Sequence, residues 1–462
     1  MEPTRLSNRA LAALCLACAF FGATTTRVSL VCAQASPPQN GTWIEADPVH
    51  TQVMVGDDGQ TYVAIWLDVP AAPRATRRPP MAVSIVVDTS GSMAGTKIEQ
   101  ARRAALQLLE TVRDGDVVSV LGFESQVWQH VAPTVVTQAS RRAIVRAIEG
   151  IDVGGGTAMY DGLAAGLAAL SQASSEHPVR RLFLISDGHA NVGPSSAEQL
   201  GALAATGLQH DVHVTGIGVG VDYDPATVGQ VVVRSAGRFY HLAEPHQLAG
   251  VVAEEIAALS QTLATNAVVE FEPADGVRVL EGVTEGSQVT AGRFQLSIGS
   301  LYTGRRVELL VHVQLPTDTL GAHSLGVARL RYELPNSARE ARVQERPVTY
   351  TVTQDRRAAT RSVSSRAYVI SHTQLALRDN DRAVEALRSG DQQAAATALA
   401  AAAARLEVAA NEAPSAPARA RLNERAATYR RQSSSSRSAS SGAAQRDVGA
   451  TIRADAYHDS AY

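Results

Sequence analysis

The chain has little cysteine, little aromatic content and almost no lysine. Its cysteines, Cys15, Cys18 and Cys32, all fall at the N-terminus of the 462-residue chain. A chain trimmed beyond them has no thiol to form a disulfide or to ligate a metal, so its stability must come from packing. An apolar content of 45% is ordinary for a chain that buries a sizeable core. Strong charge of one sign is also missing. The formal net charge is -3, and the basic residues are scattered, which excludes the electrostatic footprint of a nucleic-acid binder. Lys97 is the single lysine among 42 basic residues. Beside abundant alanine, that imbalance reads as codon bias and carries no function by itself. No apolar run beyond the N-terminus reaches the roughly 20 residues that a spanning helix needs. No H-E-x-x-H, C-x-x-C, Walker A or G-x-S-x-G string follows residue 35, which removes the usual signatures of zinc proteases, dithiol redox proteins, P-loop enzymes and serine hydrolases. Gly216-Ile217-Gly218-Val219-Gly220 lacks the final spacing of a dinucleotide fingerprint. The twelve histidines are dispersed, and none is spaced as a metal ligand.

The N-terminus has the pattern of a leader. Arg5 and Arg9 precede an apolar run from Ala10 to Ala23, and Ala33-Gln34-Ala35 offers the small-x-small pattern that signal peptidase accepts. This predicts a signal peptide over residues 1–35 with cleavage before Ser36. The mature chain would then be exported, periplasmic or secreted, with no integral membrane span.

Between residues 81 and 263, short β-rich apolar runs alternate with Ala/Leu-rich helical stretches. The runs are Val83–Val87, Val117–Leu121, Leu182–Ile185, Val212–Ile217 and Phe239–Leu242. Helices are expected over Lys97–Val112, Ser140–Glu149, Ala158–Ser171, Ser196–Leu208, Pro225–Ser235 and Gln247–Leu263. Such alternation predicts an α/β fold with a doubly wound, mostly parallel sheet. Val127–Val136, interrupted by Pro133, follows its predecessor too closely for a crossover and is expected as an antiparallel edge strand. Residues 42–70 and 266–353 instead alternate apolar and polar positions, as in Arg306–Val313 and Ala328–Leu334, which is the pattern of an antiparallel β-sandwich. Because a lone hairpin is barely stable, the N-terminal segment, residues 42–80 with its Pro-rich connector, is expected to complete the later sandwich. The α/β domain would then be an insertion. Residues 367–432 read as two or three Ala- and Arg-rich helices. Residues 433–462, opening on Ser433-Ser434-Ser435-Ser436 and poor in bulky apolar side chains, are expected to be disordered.

Three loop motifs, two of them at strand ends, carry the chemistry. The first strand runs into Asp88-Thr89-Ser90-Gly91-Ser92, a D-x-S-x-S string. Gly154-Gly155-Gly156-Thr157 leads into a helix, and Leu182–Ile185 continues into Ser186-Asp187-Gly188. Open α/β sheets bind ligands at the carboxyl ends of their strands. Hydroxyl and carboxylate oxygens are hard donors, suited to Mg²⁺ or Mn²⁺, with Ca²⁺ a further candidate, rather than to zinc.

These pieces, in this order, resemble the metal-ion-dependent adhesion site of von Willebrand factor A domains, the family that includes the inserted domains of integrins. The likeness covers residues 81–263 and suits a bacterial-type secreted member with a flanking β-sandwich. The resemblance implies that Asp88, Ser90, Ser92, Thr157 and Asp187 form the metal site, that two of these ligands act partly through water, and that the open metal position takes an Asp or Glu from a protein or surface ligand. It also implies coupling between the metal loops and the last helix, Gln247–Leu263. The expectation is a non-enzymatic binding or adhesion module. A Mg²⁺-dependent hydrolase, or an accessory subunit of an envelope complex, is the alternative.

Overall fold

The computed structural model describes residues 41–71, 78–220, 223–336 and 338–459. The expected signal peptide and most of the Pro-rich connector lie outside these residues. Strands β1 (Ile44–Pro48), β2 (Gln52–Met54) and β3 (Gln60–Asp68) come first. An α/β unit follows: β4 (Met81–Asp88), α1 (Thr96–Thr111), β5 (Val117–Phe123), β6 (Val127–Val135), α2 (Gln138–Glu149), α3 (Met159–Ser171), β7 (Val179–Ser186), α4 (Ala197–Thr206), β8 (Val212–Val219), α5 (Pro225–Arg234), β9 (Arg238–Leu242) and α6 (Leu248–Leu259). Next are β10 (Thr262–Pro273), β11 (Arg278–Gly282), β12 (Gln288–Thr290), β13 (Arg293–Tyr302), β14 (Arg306–Gln314), β15 (Gly321–Glu333) and β16 (Ala341–Thr353). The chain closes with α7 (Arg356–Arg361), α8 (Ser365–Arg388), α9 (Gln392–Glu412), α10 (Ala416–Ser438) and α11 (Gly442–Asp459).

The α/β sheet has the order β6-β5-β4-β7-β8-β9, parallel throughout except for β6. Its inner strands β4, β5, β7 and β8 are buried at every position, as continuous apolar runs covered on both faces must be. Along β4 the alternation splits the core: Val83, Ile85 and Val87 pack with α1 and α6, whereas Ala82 and Val86 pack with α3. The edge strand β6 is antiparallel and largely open to solvent, and its register slips where Pro133 lies between the Val131 and Thr134 pairings. Because β5 and β7 flank β4 on opposite sides, the crossovers diverge there, and a crevice forms at the carboxyl ends of β4 and β7.

The other two sheets pack face to face. One has the order β1-β3-β14-β11 and the other β12-β13-β10-β15-β16-β2. The segment before the α/β unit therefore supplies strands to both sheets, and the unit is inserted in the sandwich. Val63, Ile65, Leu67, Val307, Leu309 and Val311 meet Val269, Phe271, Leu296, Ile298 and Leu330 across its core. On the outer face of β3 and β14, Ala64, Trp66 and Leu310 are covered by Val369 and Ile370 of α8.

Two expectations need correction. The last helix of the α/β unit ends at Leu259 rather than Leu263, because Thr262 already pairs with Tyr302 as the first residue of β10. The disorder expected over residues 433–462 is replaced by the end of α10 and by α11. Bulky side chains are unnecessary there. Ser433 Oγ donates to the Ala396 carbonyl at 2.8 Å, Ser436 Oγ donates to Gln432 O at 2.9 Å, and both serines are buried. Small hydroxyls that satisfy themselves on helix carbonyls let α10 approach the alanine face of α9 closely. Ile452 of α11 is fully buried in the helical cluster.

Candidate functional site

The crevice at the ends of β4 and β7 gathers all five residues of the expected metal site. Asp88, the last residue of β4, is fully buried. Its Oδ1 accepts the Ser90 backbone N–H at 2.9 Å, and its Oδ2 accepts the Ser186 hydroxyl at 2.6 Å. The Ser90 and Ser92 hydroxyls lie 3.1 Å apart, and Ser92 Oγ donates to Asp187 Oδ1 at 2.8 Å. Thr157 is held on both sides by Asn191, whose Oδ1 accepts the Thr157 N–H at 2.8 Å and whose own N–H donates to Thr157 O at 3.1 Å. Gly188 marks the junction of the three loops: a Cβ there would stand 3.7 Å from Ser92 Oγ and 3.9 Å from Thr157 Oγ1. Asp88, Ser90, Thr157 and Asp187 are buried while Ser92 is exposed, so the cluster opens to solvent on the Ser92 side.

The triple glycine serves close approach. None of Gly154, Gly155 and Gly156 has positive φ, but a Cβ on Gly155 would lie 2.6 Å from Ser125 Oγ, and one on Gly156 would lie 2.7 Å from Val192 Cγ2. The bare backbone is then free to cross-link loops. Gly91 N–H donates to Gly155 O at 3.2 Å, and Gly155 N–H donates to Glu124 Oε2 at 3.0 Å.

Burial pushes the Asp88 carboxyl above its ordinary pKa; hydrogen bonds from Ser186 and Ser90 oppose this, and the neighbouring Asp187 adds to it. Among the described residues no basic side chain pairs with Asp88. A buried carboxylate with only neutral donors lacks compensating charge. Two carboxylates and three hydroxyls therefore fit a hard divalent cation, and no group of three or more His, Cys, Asp or Glu is arranged to hold a metal among the described residues. At the rim, Glu124 behaves oppositely: hydrogen bonds from the Ser125 N–H, the Trp128 indole and the Gly155 N–H bring its pKa down to about 2.

Residues 83–189 match the family described as the von Willebrand factor type A domain. The chain contains a von Willebrand factor A domain. It is 26% identical over 340 residues to an uncharacterized protein of Synechocystis, covering 70% of this chain and 78% of that one. It is 31% identical over 164 residues to inter-alpha-trypsin inhibitor heavy chain H3 of Homo sapiens; the match covers 33% of this chain and only 18% of that longer protein. Among solved structures, a von Willebrand factor type A protein from Catenulispora acidiphila superposes with a TM-score of 0.66 at 18% identity, over 81% of this chain and 89% of that one. The ArnB paralog VWA2 from Sulfolobus acidocaldarius superposes with a TM-score of 0.59 at 15% identity, over 90% and 98% of the two chains. At such identities the two structures share the fold.

Motif reading leaves out several side chains that shape this end of the A domain. Ser186 precedes Asp187 in the strand-end motif, and its hydroxyl reaches across to Asp88. Glu124 follows Phe123 at the carboxyl end of β5, a position that strand-end reasoning could have found. Asn191 gives no signal in sequence. Lys97 does, through its rarity: its ammonium bonds Asp187 Oδ2.

Proposed function

We propose that the chain is an exported, metal-dependent protein-binding module. In this reading Asp88, Ser90, Ser92, Thr157 and Asp187 hold Mg²⁺, with Mn²⁺ or Ca²⁺ as substitutes, and the partner is a protein or surface ligand that presents an Asp or Glu. The observation that carries it is the convergence of five oxygen-bearing side chains, one of them a buried carboxylate, Asp88, that has no basic partner among the described residues. A bound ion would supply the missing positive charge and, with a coordination position open toward solvent, would take an outside carboxylate there. Trp128, 51% exposed, donates its indole N–H to Glu124 Oε1 at 3.1 Å and adds an aromatic surface at the rim, of the kind that anchors protein partners. Hydrolysis is the less favoured reading, because Glu124, the additional carboxylate at this rim, is a weak base at a pKa of about 2.

The test is recovery of partners from envelope and medium fractions, with Mg²⁺ and with chelator, using the wild-type chain and Asp187→Ala. Partners captured only by the wild type with Mg²⁺ support the reading, and equal recovery in all four arms overturns it. Phosphoester hydrolysis that disappears in Asp88→Ala would favour the enzymatic alternative.

A further inference from the structure

In a chain that uses arginine at every other basic position, the one lysine touches the candidate metal site. Lys97 Nζ bonds Asp187 Oδ2, while Asp187 Oδ1 faces the Ser92 hydroxyl at 2.8 Å. The aspartate is fully buried and the lysine side chain is 25% exposed. Lys97 is the second residue of α1, where the helix dipole disfavours a cation, so helix stability does not explain it. The side chain lies against the end of β8. Gly220, at a φ of +79°, would place a Cβ 3.6 Å from Lys97 Cε and 3.7 Å from Nζ. A lysine ammonium is a compact point charge, whereas an arginine fork is broad and planar.

We propose that Lys97 is a built-in counter-charge that cancels Asp187, so that the five-residue site offers a divalent ion one net negative charge instead of two and leaves the loaded site net positive toward a partner carboxylate. This rests on the metal-binding reading above and adds the division of labour: Lys97 weakens the hold on the ion and strengthens the hold on the anionic ligand. The two affinities must then move in opposite directions when Lys97 is neutralised.

The experiment uses the chain lacking residues 1–35, Mn²⁺ as the ion and acetate as the carboxylate probe. Mn²⁺ affinity is read by calorimetry, and acetate binding by the loss of water-proton relaxation enhancement at the bound ion. Lys97→Met is expected to bind Mn²⁺ roughly ten- to a hundredfold more tightly, from the removal of one unit charge a few ångströms away in a partly buried site, and to bind acetate more weakly. Lys97→Arg, which keeps the charge but carries a broader head, is expected to shift both affinities less than Lys97→Met does. Affinities that rise together, fall together or stay unchanged in Lys97→Met overturn the proposal. A wild-type chain that binds no Mn²⁺ fails the metal-binding reading itself. A second measurement needs no variant. Because Lys97 is the single lysine, its acylation by an amine-reactive ester can be followed by peptide mapping with and without Mn²⁺. A paired Lys97 in the loaded site gives no acceleration, whereas a tenfold rise on adding Mn²⁺ would show that the ion evicts the lysine and would overturn the counter-charge assignment.

Discussion

Glu255 offers the most direct test of how the A domain is held together. It lies on α6, is 1% exposed, and gathers groups from three parallel strands. Its Oε1 accepts Thr215 Oγ1 of β8 at 3.1 Å and stands 3.7 Å from Arg181 Nε of β7. Its Oε2 accepts Arg238 Nη1 and Tyr240 OH of β9 at 2.8 and 2.9 Å. Burial opposes the charge, but Arg181 and Arg238 outweigh it and hold the carboxyl below its ordinary pKa. Glu255→Ala strands the Arg181 guanidinium, itself 3% exposed, without its counter-ion and deprives two hydroxyls of their acceptor. Breaking one side of a buried pair costs about 3–5 kcal/mol. Urea unfolding should show that loss as a lower midpoint. Hydrogen exchange should show the α6 amides, Leu248–Leu259, opening more easily by a comparable amount, since this carboxylate ties the helix to the sheet. Replacing the deepest pair, Glu255→Leu with Arg181→Leu, should recover much of the stability, because the fully buried Arg181 charge is then gone and the cation left without its carboxylate, Arg238, has a side chain 21% exposed to water. A Glu255→Ala loss under about 1 kcal/mol would refute the reasoning, since it would mean that Arg181 reaches water unaided.

Other outcomes follow from the same structure. His213 is buried, its Nδ1 bonds Ser235 O at 2.9 Å, and burial followed by the nearby Arg181 charge takes its pKa down to about 3. The unfolded chain takes up that proton near pH 6.5. Stability is therefore full above about 6.5 and falls by about 1.4 kcal/mol per pH unit as pH drops from there toward about 3. His213→Gln should flatten this part of the curve of urea midpoint against pH, and an unchanged slope would contradict the assignment. Ile452→Ala should cost about 2–5 kcal/mol in urea unfolding, because the side chain is fully buried between helices, whereas a disordered tail would lose nothing. Free Mg²⁺ at a hundred times its Kd should raise stability by about 2.7 kcal/mol, measured as a shift in thermal midpoint. That increment should vanish in Asp88→Ala.

The A domain was legible because its buried strands end in chemistry. Val83–Val87 and Leu182–Ile185 are apolar runs too long for loops, and each continues into an aspartate where the strand order diverges. The inserted sandwich was legible too, since β14 alternates inward Val307, Leu309, Val311 and Val313 with the more open Glu308 and His312, and departs from the alternation at Leu310, which α8 covers. The C-terminus was not. Serine and alanine score as weak core formers when counted singly, and only the approach of α10 to α9 shows that Ser433 and Ser436 are buried contacts. Lys97 was visible as a composition anomaly, but its meaning needed the third dimension, because Asp187 lies ninety residues away in sequence.

Comparing Asp88 with Glu255, another deeply buried carboxylate of the same domain, makes the functional one recognisable. Glu255 is closed: Arg181 and Arg238 compensate its charge, Thr215 and Tyr240 fill its remaining hydrogen-bonding capacity, and nothing further is needed for it to stay ionised. Asp88 is open. It is as deeply buried, yet its bonded partners are the Ser186 hydroxyl and the Ser90 N–H, and a second carboxylate stands beside it. A core that only needed to fold would gain by replacing such a group with an apolar one of similar volume. Retaining Asp88 beside Asp187, with a lone lysine answering only the latter, leaves one unit of negative charge to be compensated from outside the chain. A divalent cation does so and brings a surplus, and that surplus is what an incoming carboxylate would meet at the exposed Ser92 edge.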